Sequence, residues 1–270
     1  MGTPVVMLHS SLGSKAQWTA LAERMARRFQ TIALDLWGYG DNAMPAATTS
    51  FSLDDELRLV AGHVDRIVGP RARVHVVGHS YGGLVALRLA QCWGERVASL
   101  SLYEPVAFRM LGEDDTEFST VTQLSDCVTH LVATGLRHEA AKAFVDFWSG
   151  EGSYASLPLP AQASIARRVA KVPLDFQAAW RWPMRPSDCR SIVAPALTLA
   201  GTRSPGFMKR IVAQLNRSLP DGRAWWFDAG HMAPITHADR VNHLIEAFIE
   251  SCSLAPSAAT MTPGATGTMR

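Results

Sequence analysis

Gly78-His79-Ser80-Tyr81-Gly82-Gly83 is the segment of this chain with the clearest chemical content. It follows the apolar run Val74–Val77 and opens an Ala- and Leu-rich stretch of helical spacing from Leu84 onward. Gly-x-Ser-x-Gly is common in isolation, but between a strand and a helix it has a mechanical meaning. The turn is so sharp that side chains at the glycine positions would collide with neighbouring backbone. Its product is a serine whose Oγ stands free at the tip of a sheet, beside a helix N-terminus. A serine hydroxyl is a poor nucleophile at its ordinary pKa, so Ser80 needs an adjacent general base. Nine histidines are available, and most read as solvated or structurally satisfied. His79 adjoins the serine, with its side chain expected to point away from Oγ. His75 and His79, four apart on or near a strand, lack the carboxylate context of a metal site.

The elements that must position Ser80 show as an alternation. Short β-type runs at residues 4–8, 31–36, 74–77, 97–103, 196–200 and 224–227 alternate with amphipathic stretches. Trp18, Leu21, Ala22, Met25 and Phe29 make one apolar stripe, and Leu57, Val60, Ala61, Val64, Ile67 and Val68 a second. Val241, Leu244, Ile245, Phe248 and Ile249 make the last. Strands flanked by helices of this length predict βαβ units, hence an α/β fold whose mostly parallel sheet of about six strands is covered on both faces. The alternation breaks over residues 105–190, where only helical patterns occur. Phe118, Val121, Leu124, Val128 and Leu131 form one, and Ala141, Phe144, Val145 and Trp148 another. A third helix is expected over residues 161–172, followed by the aromatic segment Phe176, Trp180 and Trp182. This predicts a helical cap or lid inserted between a first core segment, 1–104, and a second, 191–252. From about Ser253 the composition turns small, Pro/Gly/Thr-rich and aperiodic, which predicts a disordered tail over 253–270.

At these motifs the chain resembles the α/β-hydrolase fold family, in its serine-nucleophile, esterase- and lactonase-like branch, over most of residues 4–252. His9-Ser10-Ser11-Leu12-Gly13-Ser14 looks like the family's His-Gly-x-x-Gly oxyanion loop, with Ser10 replacing the usual glycine. Asp35-Leu36-Trp37-Gly38-Tyr39-Gly40 resembles its Asp-x-x-Gly-x-Gly loop, and Ala229-Gly230-His231-Met232-Ala233-Pro234 the loop of the catalytic histidine. The resemblance implies His231 as general base. It implies an oxyanion hole of the backbone N–H groups of Tyr81 and Ser11. The family usually places an aspartate in the loop that here reads Gly201-Thr202-Arg203-Ser204-Pro205-Gly206, which contains no carboxylate. Some members instead carry the acid at the end of the strand after the nucleophile helix, where Leu102-Tyr103-Glu104-Pro105 stands. Glu104 is therefore the candidate acid for the Nδ1–H of His231, with Asp35 and Asp228 as rivals. Family members usually begin with a two-strand meander before the first strand found here. The sequence leaves no room for it, so the expectation is either a short variant with a reduced sheet of about six strands or a truncated start, with an exposed edge that a partner subunit could cover.

A cap on this fold roofs the nucleophile, so His9, Trp37, Trp148, Trp180 and Trp182 are candidate pocket residues for an apolar substrate. Arg203 reads either as a surface residue or as one facing an anionic group. The leading function is a serine hydrolase acting on a small, largely apolar carboxylic ester or lactone through an acyl-enzyme with a Ser80–His231–Glu104 triad. Carbon–carbon hydrolysis of ring-cleavage products is the enzyme alternative, and a non-catalytic ligand-binding member of the fold is the alternative from another class.

Composition bounds the rest. Of 270 residues, 47% are hydrophobic and 19% charged, and 26 basic against 24 acidic residues leave +2. That balance excludes global disorder and gives no sign of a nucleic-acid or membrane partner. No apolar run approaches a membrane span, and no secretory signal is recognisable. The expectation is a cytoplasmic monomer or homodimer without cofactor or metal. Cys92, Cys127, Cys189 and Cys252 are far apart and read as reduced, buried thiols.

Overall fold

The computed structural model describes residues 2–46, 48–112, 115 and 117–254. Its centre is a six-stranded, all-parallel sheet in the order β2-β1-β3-β4-β5-β6, built from β1 (Gly2–Leu8), β2 (Phe29–Leu34), β3 (Val74–His79), β4 (Val97–Tyr103), β5 (Ala196–Gly201) and β6 (Gly222–Phe227). Alternate side chains of each strand enter opposite layers, as the pleat requires. Val6, Leu8, Val74, Val76, Leu100 and Leu102 join one core with α2 (Leu53–Val68), α3 (Tyr81–Trp93) and α8 (Gly206–Ser218). Val5, Met7, Val77, Tyr103 and Leu199 join the other with α1 (Thr19–Met25) and α10 (Ala238–Leu254). The central strands are buried on both sides, which explains their near-continuous apolar runs.

Between β4 and β5 the chain leaves the sheet as four helices, α4 (Phe118–Ala133), α5 (Arg137–Ser149), α6 (Leu159–Arg168) and α7 (Val172–Arg181). The helix expected over 161–172 ends earlier. A short 3-10 turn, Val169–Lys171, joins it to α7, where Pro173 occupies the first turn without needing a backbone partner. A short α9 (Ala233–Thr236) precedes α10. Of the expected tail, Ser253 and Leu254 instead complete α10, and 255–270 lie outside the described residues. The four cysteines are free, but only Cys189 is buried; Cys92 and Cys127 face solvent, contrary to expectation. No helix among the described residues is long and apolar enough to cross a membrane.

His75, on β3, has Nδ1 2.7 Å from Ser99 Oγ and Nε2 3.2 Å from Ser253 Oγ. Burial pushes its pKa down to about 4, and Arg73 adds to the effect. As pH falls through 6.5, the unfolded histidine takes up a proton that the folded one refuses until about pH 4. The unfolded chain therefore binds more protons, and stability drains away over that window, by about 3 kcal/mol for a shift of this size. In thermal melts between pH 6.5 and 4, His75→Gln is expected to lose less melting temperature than the wild type; parallel curves would refute the assignment.

Candidate active site

Ser80 sits between β3 and α3 with φ 54° and ψ −117°, a conformation that L-residues avoid. Two glycines make it possible. A Cβ on Gly78 would lie 2.5 Å from the carbonyl oxygen of Gly82, and one on Gly82 would lie 2.4 Å from those of Leu8 and His9. The nucleophile turn thus presses directly on the end of β1. Ser80 N–H donates to Tyr103 C=O at 3.0 Å, and Val106 N–H donates to Ser80 C=O at 3.3 Å, tying the turn to the end of β4.

The residue that follows β4 is Glu104, fully buried and also at positive φ, 41°. Its Oε1 accepts the Gly201 N–H at 2.8 Å, and its Oε2 lies 2.7 Å from His231 Nδ1. A carboxylate can only accept, so Nδ1 carries the proton and Nε2 is left as an acceptor. That Nε2 is 3.0 Å from Ser80 Oγ. The loop after β5 lacks a carboxylate, and the last residue of the strand itself, Gly201, supplies a main-chain donor to Glu104. Neither rival acid reaches the histidine. Asp35 accepts the N–H groups of Lys15 (2.7 Å) and Asp41 (3.2 Å), and Asp228 pairs with Arg203 in solvent at 3.3 Å.

The His231 loop is held from below. His79 Nε2 donates to His231 C=O at 2.9 Å, and Tyr103 OH donates to Gly230 C=O at 2.8 Å. Burial, reinforced by neighbouring His231, holds His79 far below the usual histidine range, so it acts as a neutral brace. From above, the Trp148 indole on α5 stacks on the His231 ring at 4.0 Å.

Ser11 and Tyr81 line the same cleft as Ser80. Ser11 belongs to a loop in which Leu12 has φ 62°. His9 braces this loop and does not line the cleft, correcting the expectation. Its Nδ1 donates to Ser10 C=O (2.7 Å), its Nε2 accepts the Leu36 N–H (3.1 Å), and burial drives its pKa down to about 4. Of the four candidate tryptophans only Trp148 meets the cleft. Trp37 donates its indole N–H to Asp55 C=O and packs on the core. Trp180 stands behind the wall, 5.2 Å from Phe108 with its N–H on Ser125, and Trp182 caps α7 against the core. The cleft has an outer part of about 450 Å³ and a narrow inner recess of about 20 Å³. Phe108, Phe144, Trp148, Val172 and Phe176 give the recess an apolar wall.

One charged cluster escaped the sequence reading. Lys171, wholly buried, bridges Glu56 (2.9 Å) and Asp175. Asp175 lines the inner recess and also accepts Ser11 Oγ (2.6 Å) and Tyr39 OH. Burial raises the pKa of both carboxyls against the pull of Lys171. Burial alone would lower Lys171, but Asp175 and Glu56 together raise it. The signal was present: Glu56 and the i,i+4 pair Lys171/Asp175 each interrupt an otherwise apolar helix face.

The sequence model of the alpha/beta hydrolase family matches residues 5–244. The chain belongs to the alpha/beta hydrolase family. Over 112 residues this hydrolase-family chain is 38% identical to the dihydrolipoyllysine-residue acetyltransferase component of an acetoin cleaving system from Pseudomonas putida, a match covering 42% of this chain and 28% of that protein. It is 28% identical over 145 residues to a putative 2-succinyl-6-hydroxy-2,4-cyclohexadiene-1-carboxylate synthase from Bacillus subtilis, covering 53% of this chain and 49% of that one. The matches thus span between about a quarter and a half of these curated relatives' lengths. Among solved structures, the enol-lactonase from Burkholderia xenovorans superposes with a TM-score of 0.71 at 19% identity, over 93% of this chain and 92% of that one. At that identity the likeness is one of fold.

Removing the cation from the buried cluster leaves two carboxyls facing each other. Lys171→Met is expected to cost about 3–5 kcal/mol, a fall of about 6–20 °C in melting temperature. Adding Glu56→Gln to that variant should return part of the loss; an unchanged melt for the single variant would show the cluster to be inert.

Proposed function

We propose that this alpha/beta hydrolase cleaves a small, largely apolar carboxylic ester or lactone through an acyl-enzyme on Ser80. The observation that carries the reading is the continuous relay Glu104 Oε2–His231 Nδ1 and His231 Nε2–Ser80 Oγ, at 2.7 and 3.0 Å. Ser80 Oγ attacks the carbonyl carbon as its proton passes to His231 Nε2. The tetrahedral oxyanion lies against the N–H groups of Tyr81 and Ser11, two backbone donors fixed before the reaction begins. The intermediate collapses as the alcohol oxygen leaves with the proton from Nε2, and water repeats the sequence on the acyl-serine. In a lactone the alcohol stays tethered to the acyl group, so one product leaves after hydrolysis. During each half-reaction His231 carries a positive charge. Glu104 stabilises it from one side, and the face of Trp148 adds a cation–π contact of about 0.5–2 kcal/mol from the other.

Two measurements test the reading. A fluorophosphonate probe is expected to label the wild type at Ser80 and to leave Ser80→Ala unlabelled; absence of label on the wild type would favour a ligand-binding protein. With p-nitrophenyl esters and lactones as substrates, Glu104→Gln is expected to lower kcat by about 10³–10⁴, the scale on which triad acids act. The glutamine can still accept the Gly201 N–H, but it turns an N–H toward Nδ1 and so inverts the tautomer that the base requires. Near-normal turnover in a folded Glu104→Gln would remove Glu104 from the relay.

A further inference from the structure

The outer cleft contains a cation without a counter-ion. Arg168, the last residue of α6, is half-buried and lines the cleft together with Ser11, Ser80 and His231. Its Nε donates to Ser164 C=O at 3.3 Å and its Nη1 to Gly13 C=O at 3.2 Å. Among the described residues it makes no ion pair, and its Nη2 makes no hydrogen bond to the protein. Other arginines with sheltered side chains are treated differently: Arg88 pairs with Asp54 at 3.0 Å and Arg96 with Asp65 at 2.5 Å. Withdrawing a guanidinium from water without an anionic partner is unfavourable, and burial lowers the pKa of Arg168 accordingly.

No Asp or Glu lines the outer cleft, so nothing there answers this charge. Among the described residues that line the cleft the one carboxyl is Asp175, in the inner recess. The cleft is therefore polarised, with a cation in its outer part and an acidic group at its inner end. Resting on the hydrolase reading above, we propose that Arg168 is a carboxylate-binding subsite, and that the substrate is an ester or lactone bearing a free carboxylate. Nη2 and the second N–H of Nη1 form the end-on pair of donors that a carboxylate accepts in parallel. The anionic end lies in the outer cleft and the apolar remainder against the aromatic wall, because the reverse orientation would set the anion against Asp175. The Gly13 carbonyl that holds Arg168 belongs to the same loop as Ser11. One loop thus fixes both the anion subsite and an oxyanion donor, and with them the distance between carboxylate and scissile carbonyl.

The test compares p-nitrophenyl hemiglutarate, an anionic ester, with p-nitrophenyl butyrate, a neutral one. The wild type is expected to favour the anionic ester in kcat/KM. Arg168→Met should reduce the anionic-to-neutral ratio at least tenfold, chiefly through KM, and Arg168→Lys should keep part of it. A ratio unchanged in Arg168→Met would overturn the proposal and leave Arg168 as a brace for Gly13. A second measurement needs no turnover. Calorimetry on Ser80→Ala is expected to show 3-phenylpropionate binding at least tenfold tighter than 3-phenylpropanamide, an advantage lost when Arg168→Met is added. Equal binding of acid and amide would also overturn it. Continued hydrolysis by Ser80→Ala would instead defeat the nucleophile assignment and leave the calorimetric result for Arg168 standing.

Discussion

Ser80 is held at φ 54° by backbone that has no room to let it relax, and the rest of the site is arranged around that fact. Gly78 and Gly82 bring the turn against the end of β1, while Tyr103 and Val106 hydrogen-bond it to β4 and the chain beyond. Among the described residues only Leu12, Ser80 and Glu104 are non-glycines at positive φ. One lies in the loop proposed to bind the oxyanion, one is the proposed nucleophile, and one is the hydrogen-bond partner of His231. Each such residue costs of order 1–3 kcal/mol and persists only where its surroundings over-determine it. The two buried cores above and below the sheet supply that constraint.

Around the strained backbone, charge is placed by depth. Under the recess, Lys171 joins Glu56 and Asp175, so the carboxyl that touches the cleft is tied to a buried cation. At His231 the only neighbouring acid is Glu104, already committed to Nδ1 and to the Gly201 amide. His9 and His79, both buried, stay neutral and hold loops in place. The histidine proposed to act as base, with Nε2 on Ser80 Oγ, is thereby distinguished from those that only support it.

How far the sequence foretold this depended on the range of the interactions. The six strands were legible because apolar runs and helical stripes are local signals; their order in the sheet depends on long-range pairing and emerged only in the structure. Ser80 was legible because the glycines its turn requires sit within two residues of it. Glu104 was reached through the family resemblance, since the loop after β5 carries no carboxylate and some members hold the acid at the end of the strand that here is β4. The tryptophans were not. Periodicity tells which face of a helix is apolar but not whether that face meets another helix, as at Trp180, or an open cleft, as at Trp148. The Lys171 cluster and Arg168 were hidden for a related reason: their partners are distant in sequence, Glu56 in one case and Gly13 in the other. Arg203, which drew notice by standing where an acid was missing, is only a surface partner of Asp228.

Glu104 extends β4, whose Tyr103 is in register with His79 of β3, one residue before the serine. The proposed acid and nucleophile are thus rooted in a single strand ladder, and the spacing between them is a property of the sheet itself. The end of β5 contributes the Gly201 peptide N–H to this arrangement, and the loop after it contributes no side chain. Residues 202–206 are consequently free of inherited chemical duty. In an evolving lineage they form a segment that could lengthen, shorten or acquire a new partner while the relay beneath it kept its dimensions.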